Sequence, residues 1–281
     1  MIGRRALYQA GKVLNRRRLP EARLTSELLL RHTLDTDRVG LYQDLDRELT
    51  YKEENTFRQL LRRRLRGEPV AYILGRREFY GLDFEVDRRV LIPRPETELL
   101  VDKALAFARH RNITEIADIG TGSGAVAVAL AVNLPGATVY ATDVSAAALE
   151  VACRNAARHG AADRIRFLAG DLLAPLPDAV SLIVANLPYV TAVEVADGRL
   201  ADFEPELALT GGTDGLDVIR RLLDELSDKL SSGGCLLLEV GWQQGRWVAT
   251  LLRKISPGAE IEITPDLSGI DRVVGLTLPS V

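Results

Sequence analysis

From residue 115 onward, short apolar runs alternate with helical stretches, and this alternation limits the possible folds more than any other feature of the chain. Strands are expected at 116–120 (IADIG), 138–143 (TVYATD), 164–170 (RIRFLAG), 181–186 (SLIVAN), 235–241 (CLLLEVG), 260–264 (EIEIT) and 272–278 (RVVGLTL). Between the second and third strands, Ser145 as N-cap and Gly160 just past the end bracket a helix. Strands separated by helices close as parallel neighbours, so the pattern predicts an α/β fold with helices on both faces of one sheet. Ligands of such open sheets bind outside the carboxyl ends of the strands.

Two of those ends carry unusual residues. The first strand runs into Asp118-Ile119-Gly120-Thr121-Gly122-Ser123-Gly124-Ala125, and an apolar helical pattern follows at once. Glycines let the backbone turn sharply and approach a ligand without an intervening Cβ. Asp143 closes the second strand, where a carboxylate can accept both hydroxyls of a ribose. A dinucleotide and S-adenosylmethionine both fit that spacing, which does not choose between them. A tight glycine turn with no cofactor is the plainest alternative.

The fourth strand ends in the run IVANLPYVT, residues 183–191, with Asn186-Leu187-Pro188-Tyr189 at its carboxyl end. An ordinary turn would explain the proline. Chemistry would explain more. A carboxamide oxygen and an adjacent backbone carbonyl can both accept from an NH2 group and hold its lone pair forward, which suits methylation of a planar, weakly nucleophilic nitrogen. Such a nitrogen becomes acidic only after it gains the methyl, so no strong base is needed beforehand, and neither motif contains a histidine. Tyr189 would pack against the planar target and Pro188 would stiffen the loop.

Composition removes several other classes. A chain of 281 residues with 47% hydrophobic content can bury one large core or two ordinary ones. The net charge of −3 is not that of a globally basic nucleic-acid binder. Residues 1–90 carry 20 Lys and Arg against 14 Asp and Glu, and the remainder 16 against 25, so a basic first segment precedes an acidic one. The two cysteines, Cys153 and Cys235, and the three histidines are scattered, so no metal site is expected. No apolar stretch reaches membrane-spanning length and the start lacks a signal-peptide core, so a cytoplasmic protein without membrane contact is expected.

Residues 1–75 read as a helical domain, with capping-box spacing at Thr50 and Glu53 and a stop at Gly67. The run Arg62-Arg63-Arg64-Leu65-Arg66 suits either an acidic partner or a merely solvated face. Residues 76–92 read as a hairpin linker. Pro95-Glu96-Thr97-Glu98 then opens a helix at the start of a domain spanning 93–281.

Six segments in order, AYILGRREFYGLDFEVDRRVLIPRPETELL, DIGTGSGAVAVALA, ATDVSAAALEVACRNA, NLPY, FEPELALTGGTDGLDVIR and EVGWQQG, resemble the HemK/PrmC family of protein-glutamine methyltransferases. The resemblance covers nearly the whole chain. It implies a class I S-adenosylmethionine-dependent methyltransferase, with a Rossmann-like seven-stranded sheet, a small helical amino-terminal domain and a β-hairpin linker. The implied substrate is the glutamine of the GGQ motif in peptide chain release factors, with no direct nucleic-acid contact. Gly120, Thr121, Gly122, Ser123 and Gly124 would cradle the methionine part of the cofactor. Asp143 would hold the ribose, and Asp171 and Leu172 would lie by the adenine. Asn186 and the carbonyl of Leu187 would hold the glutamine amide, in a slot shaped by Pro188 and Tyr189. Arg94 and Glu96 would close near the cofactor.

The family usually has Asn-Pro-Pro-Tyr where this chain has Leu187 in place of the first proline. Leucine keeps the backbone carbonyl, and preceding Pro188 it stays biased away from the α region. Asn-Leu-Pro-Tyr is also the form found in ribosomal RNA adenine dimethylases, so a nucleic-acid adenine methyltransferase is one alternative. A ribosomal-protein glutamine methyltransferase is another. A non-catalytic adaptor is a third, against which the intact glycine loop, Asp143 and Asn186 all argue. The segments GGTDGL and GWQQG have no chemistry that can be read from their residues alone.

Overall fold

The computed structural model describes residues 1–197 and 202–280. Two units divide the chain, Met1–Gly75 and Arg76–Val281.

The first unit consists of α1 (Gly3–Arg16), α2 (Ala22–Leu34), α3 (Arg38–Gln43), α4 (Tyr51–Leu65) and α5 (Val70–Leu74). Helix α1 buries Ala6, Ala10 and Leu14 at a spacing of four, which puts them on one face. Ala6 and Ala10 pack with Leu29, Leu30, Leu41, Phe57 and Leu60 in a shared core. Helix α4 starts with the expected capping box, in which the Thr50 side chain accepts from the Glu53 N–H and the Glu53 carboxylate accepts from Thr50 N–H. The arginine run is partly internal to this unit. Arg63 forms a two-pronged ion pair with Glu68, and the partly buried Arg64 donates to the carbonyls of Gly67 and Glu68. Arg62 and Arg66 are exposed.

The second unit opens with an antiparallel hairpin, β1 (Arg76–Phe79) and β2 (Leu82–Glu85). Helix α6 (Glu98–Arg111) follows a short turn with Pro95 at its first position. Strands and helices then alternate as β3 (Glu115–Ile119), α7 (Ala125–Asn133), β4 (Thr138–Asp143), α8 (Ala146–Arg158), β5 (Ile165–Ala169), β6 (Val180–Ala185), α9 (Ala192–Asp197), α10 (Asp217–Asp224), β7 (Leu230–Glu239), α11 (Gly245–Ile255), β8 (Glu260–Pro265) and β9 (Asp271–Thr277). The seven-stranded sheet has the order β5-β4-β3-β6-β7-β9-β8. β9 runs antiparallel to both neighbours, and the other pairings are parallel.

Strand β3 lies between β4 and β6, so chain order reverses direction across the sheet at that point. The carboxyl ends of β3 and β6 therefore adjoin at the switch point, where ligands bind in such sheets. Alternate residues divide the two faces. Ala117, Ile119, Ile183, Ala185, Leu236 and Leu238 share one core with Ile219 and Leu222 of α10 and Val248 and Leu252 of α11. Burial on both faces is why β6 reads as the unbroken apolar run Leu182-Ile183-Val184-Ala185.

One strand differs from the sequence expectation. β7 begins at Leu230 rather than residue 235, and its pairing with β6 shifts register between Val180 and Leu182. Gly233, at φ +70°, allows the irregular path that Ser-Ser-Gly-Gly conceals in the sequence. The same strand ends at Glu239, two residues before Gly241.

Candidate active site

A cleft opens at the switch point, lined by residues from separate stretches of the second unit. Gly120 and Gly122 come from the loop after β3, Asp143 and Ser145 from the end of β4, and Asp171 and Leu172 from the loop after β5. Asn186, Leu187 and Pro188 follow β6, and Pro205, Leu207, Ala208 and Thr210 complete that side. Arg89, Val90 and Leu91, just after the hairpin, form another part of the rim.

The glycine loop is fastened from beneath. Gly120 and Thr121 donate their N–H groups to the Thr142 carbonyl, at 2.9 Å each. The Asp118 carboxylate, wholly buried, accepts from the Thr121 hydroxyl at 2.6 Å and from Ala127 N–H at 3.0 Å. Gly120, Gly122 and Gly124 all have positive φ. At Gly124 an added Cβ would come within 3.1 Å of the Ala152 backbone, so this glycine permits close packing of α8 against the loop. Thr121, Ser123 and Gly124 are thus held inside the protein and do not line the cleft, whereas Gly120 and Gly122 do.

Asp143 takes the Gly122 N–H on one oxygen at 2.8 Å and the Ser145 N–H on the other at 2.9 Å. A carboxylate has about four lone-pair sites, so two acceptor positions remain for hydroxyls in the cleft. Burial raises its pKa, and the two backbone donors oppose that rise. Asp171 is ion-paired with Arg221 of α10, a cleft residue that no sequence signal marked. Leu172 adopts a left-handed conformation, φ +44°, and its carbonyl accepts from Thr142 at 3.0 Å.

The Asn186 loop is held by the two segments whose sequences suggested no chemistry. Val190 pairs with Thr210 in a parallel bridge, donating to Leu209 O and accepting from Gly211 N–H. A Cβ on Gly211 would stand 2.6 Å from the Pro188 carbonyl, and one on Gly215 2.3 Å from the Tyr189 carbonyl. Gln244 donates to the same Tyr189 carbonyl at 2.9 Å, and its side-chain oxygen accepts from Gly241 N–H at 2.9 Å. Gly211 and Gly215 of GGTDGL and Gly241 of GWQQG therefore form the bed on which Asn-Leu-Pro-Tyr lies, because only glycine admits such close approach. Trp242, in the same segment, is 71% exposed.

Side chains of the loop divide their tasks. Asn186 Nδ2 donates to the Thr97 hydroxyl at 3.0 Å, which leaves its oxygen as the free end of the carboxamide. Leu187 is buried in the core. Tyr189 does not line the cleft. Its hydroxyl donates to Glu239 at 3.2 Å, and burial, then the neighbouring negative charge, push its pKa up. Arg94 forms an ion pair with the fully buried carboxylate of Glu204, which also accepts from Ile92 N–H at 3.2 Å. The segment after the hairpin is thereby tied to the stretch that supplies Pro205 and Leu207.

Residues 5–75 match the PrmC N-terminal domain, and residues 96–203 match the methyltransferase small domain. The chain is 40% identical over 278 residues to the release factor glutamine methyltransferase of Koribacter versatilis, covering 98% of each. It is 42% identical over 261 residues to that of Bradyrhizobium diazoefficiens, covering 91% of this chain and 88% of the other. Among solved structures, the hMettl16 catalytic domain in complex with a MAT2A 3'UTR hairpin is similar with a TM-score of 0.54 at 17% identity. That match covers 75% of this chain and 82% of the other, and shows a shared class I methyltransferase fold. Identity at this level along almost the full length of both chains leaves one assignment: the protein belongs to the release factor glutamine methyltransferase family.

Proposed function

We propose that this protein transfers the methyl group of S-adenosylmethionine to the side-chain amide nitrogen of the GGQ glutamine in peptide chain release factors. The observation that carries the proposal is the placement of Asn186 and Asp143 on one cleft, at the ends of β6 and β4, with the glycine loop of β3 between them. The residues present fit the cofactor. Asp143 keeps acceptor capacity for ribose hydroxyls, and a Cβ on Gly122 would meet nothing nearer than 4.0 Å, so the loop has open space beside it. Asp171 and Leu172, which line the same cleft, would lie by the adenine.

Bound S-adenosylmethionine supplies an electrophilic methyl group. The chain's own residues present the nucleophile. The outward oxygen of Asn186 and the Leu187 carbonyl accept the two N–H bonds of the substrate amide. Acceptors placed for a pyramidal nitrogen favour the transition state over the planar ground state. Pro188 limits the freedom of the loop, and the bed of Gly211, Gly215 and Gln244 fixes its height. The helical unit 1–75 is assigned to docking the release factor in the cytoplasm, with exposed Arg62 and Arg66 available to an acidic surface.

The test incubates the protein and labelled S-adenosylmethionine with four acceptors: a release factor, its GGQ glutamine-to-alanine variant, a ribosomal protein mixture and ribosomal RNA. Label is expected in the unmutated factor alone and should be lost with Asn186→Ala. Label in RNA or in a ribosomal protein instead would overturn the assignment.

A further inference from the structure

Two rims of the cleft come from stretches far apart in the chain: residues 89–91 on one side, and Pro205, Leu207 and Ala208 on the other. Neither stretch is a strand of the sheet, so the ladder that sets β3 beside β6 does not fix the distance between them. Contacts outside the sheet must do so.

Glu204 stands one residue before the second rim, and Ile92 one residue after the first. The Glu204 side chain is wholly shielded from solvent and does not line the cleft. Its Oε1 accepts from Ile92 N–H at 3.2 Å, and its Oε2 forms an ion pair with the Arg94 guanidinium. Beside it, the Arg88 guanidinium lies over the Phe203 ring, 5.2 Å from the ring centre. Residues 88–94 are thus strapped to 203 and 204, and two of the contacts converge on one carboxylate. The same stretch reaches α8 through an ion pair of Arg89 with Glu150 at 3.0 Å. Solvent screens that pair, whereas the contact at Glu204 is shielded from it. A buried carboxylate is stable only where cations or N–H groups meet it, and both of these partners belong to the strap.

We propose that Glu204 is a positioning residue that clasps residues 88–94 across the cleft and thereby sets how long S-adenosylmethionine stays bound. The proposal rests on the cofactor reading given above. With the clasp closed, residues 89–91 are held as one wall of the cleft; with it open, that wall is free to move away from Pro205 and Leu207. The carboxylate acts on binding without touching the cofactor.

The test binds labelled S-adenosylmethionine to the full-length protein and follows its dissociation during a chase with unlabelled cofactor. Glu204→Gln keeps the side-chain shape and an acceptor for Ile92 N–H, but it turns an NH2 donor toward the Arg94 donors and so breaks the clasp. Dissociation should accelerate at least about tenfold, while kcat at saturating cofactor, with a release factor as acceptor, stays within about threefold. Arg94→Lys and Arg94→Met compare side chains of similar length, one of them charged. Lysine should keep most of the wild-type residence time, and methionine should lose it as Glu204→Gln does. Arg94→Met leaves a buried charge without its cation and can fail to fold, so the double variant Arg94→Met with Glu204→Gln, which buries no charge, is measured beside it. It should release cofactor no faster than Glu204→Gln alone, because both changes open the same clasp. Unchanged residence in Glu204→Gln and the double variant, or equal losses in Arg94→Lys and Arg94→Met, would overturn the clasp. A fall in kcat that matches the loss of residence would mark a merely structural role and overturn it as well. A wild-type protein that binds no S-adenosylmethionine would overturn the cofactor reading instead.

Discussion

The Cδ2 methyl of Leu187 stands 3.2 Å from the place a Cβ on Gly120 would occupy, so the loops that end β3 and β6 touch through a side chain. Leu187 is also part of the core beneath them. Leu187→Ala should therefore cost about 2–5 kcal/mol of stability, as buried leucine truncations do. Leu187→Pro restores the more usual family residue and keeps the carbonyl, so it should retain turnover within a few-fold. Urea unfolding and label transfer measured on both variants check the two halves of this expectation.

Gly215 has φ +77°, and an added methyl would lie 2.3 Å from the Tyr189 carbonyl and 2.6 Å from Gln244 Nε2. Gly215→Ala must push the Asn186 loop out of place. A displacement of about 1 Å in a positioned group can cost about a hundredfold in rate. Turnover should fall by about that factor, while calorimetric titration should find cofactor affinity little changed. Weakened cofactor binding with unimpaired turnover at saturation would contradict the assigned role.

Asp143 should act on affinity more than on rate. Asp143→Ala removes an ionised acceptor, and hydrogen bonds to charged groups contribute about 1.5–3 kcal/mol. The dissociation constant for S-adenosylmethionine should rise at least about tenfold, with kcat at saturating cofactor falling less. Titration calorimetry and a cofactor saturation curve measure the two separately.

Asp118 predicts a pH dependence of stability. Burial raises its pKa to about 6, opposed by the Thr121 hydroxyl and Ala127 N–H, while the Asp143 charge adds to the rise. An unfolded aspartate titrates near ~3.9. Between those values the folded protein keeps a proton that the unfolded chain has released, so stability falls as pH rises from about 4 to about 6 and levels off above. Asp118→Asn carries no charge and can still accept both hydrogen bonds. Its urea midpoint should vary less across that window and should exceed the wild-type midpoint at pH 8.

Asn155 clamps three backbone groups of two separate residues, Glu85 and Ser123. Its carboxamide accepts from Glu85 N–H at 2.7 Å and donates to Glu85 O at 3.0 Å and Ser123 O at 2.8 Å. Asn155→Ala leaves all three groups without this partner, so a loss of about 2–4 kcal/mol is expected from desolvated polar groups. Hydrogen exchange at Glu85 N–H should accelerate more than exchange elsewhere in the sheet.

Much of the fold was legible because local signals agreed with the long-range order. The capping box at Thr50, the N-cap at Ser145 and the apolar runs of β3, β4 and β6 all fall where the residues place them. The beginning of β7 was hidden because two glycines erase the period of a strand. Cleft residues were legible where the motif itself carries the polar group, as at Asp143 and Asn186. Arg221 and Thr97 were not, because each meets its partner from far along the chain, 50 residues away for Arg221 with Asp171 and 89 for Thr97 with Asn186. The roles of Gly211 and Gly215 were also invisible, since a missing side chain shows its purpose only when its neighbour is known.

Residues 116–119 of β3 pair rung for rung with 182–185 of β6, the last step joining Ile119 to Ala185. Neighbouring strands in a sheet lie about 4.8 Å apart, and a slip of one residue would turn every core side chain to the wrong face. On the proposed reading the ladder acts as a ruler between methyl donor and methyl acceptor, graduated by the backbone and locked by the core. Surfaces around the cleft can then change to admit a different acceptor while the distance over which the methyl must travel stays the same.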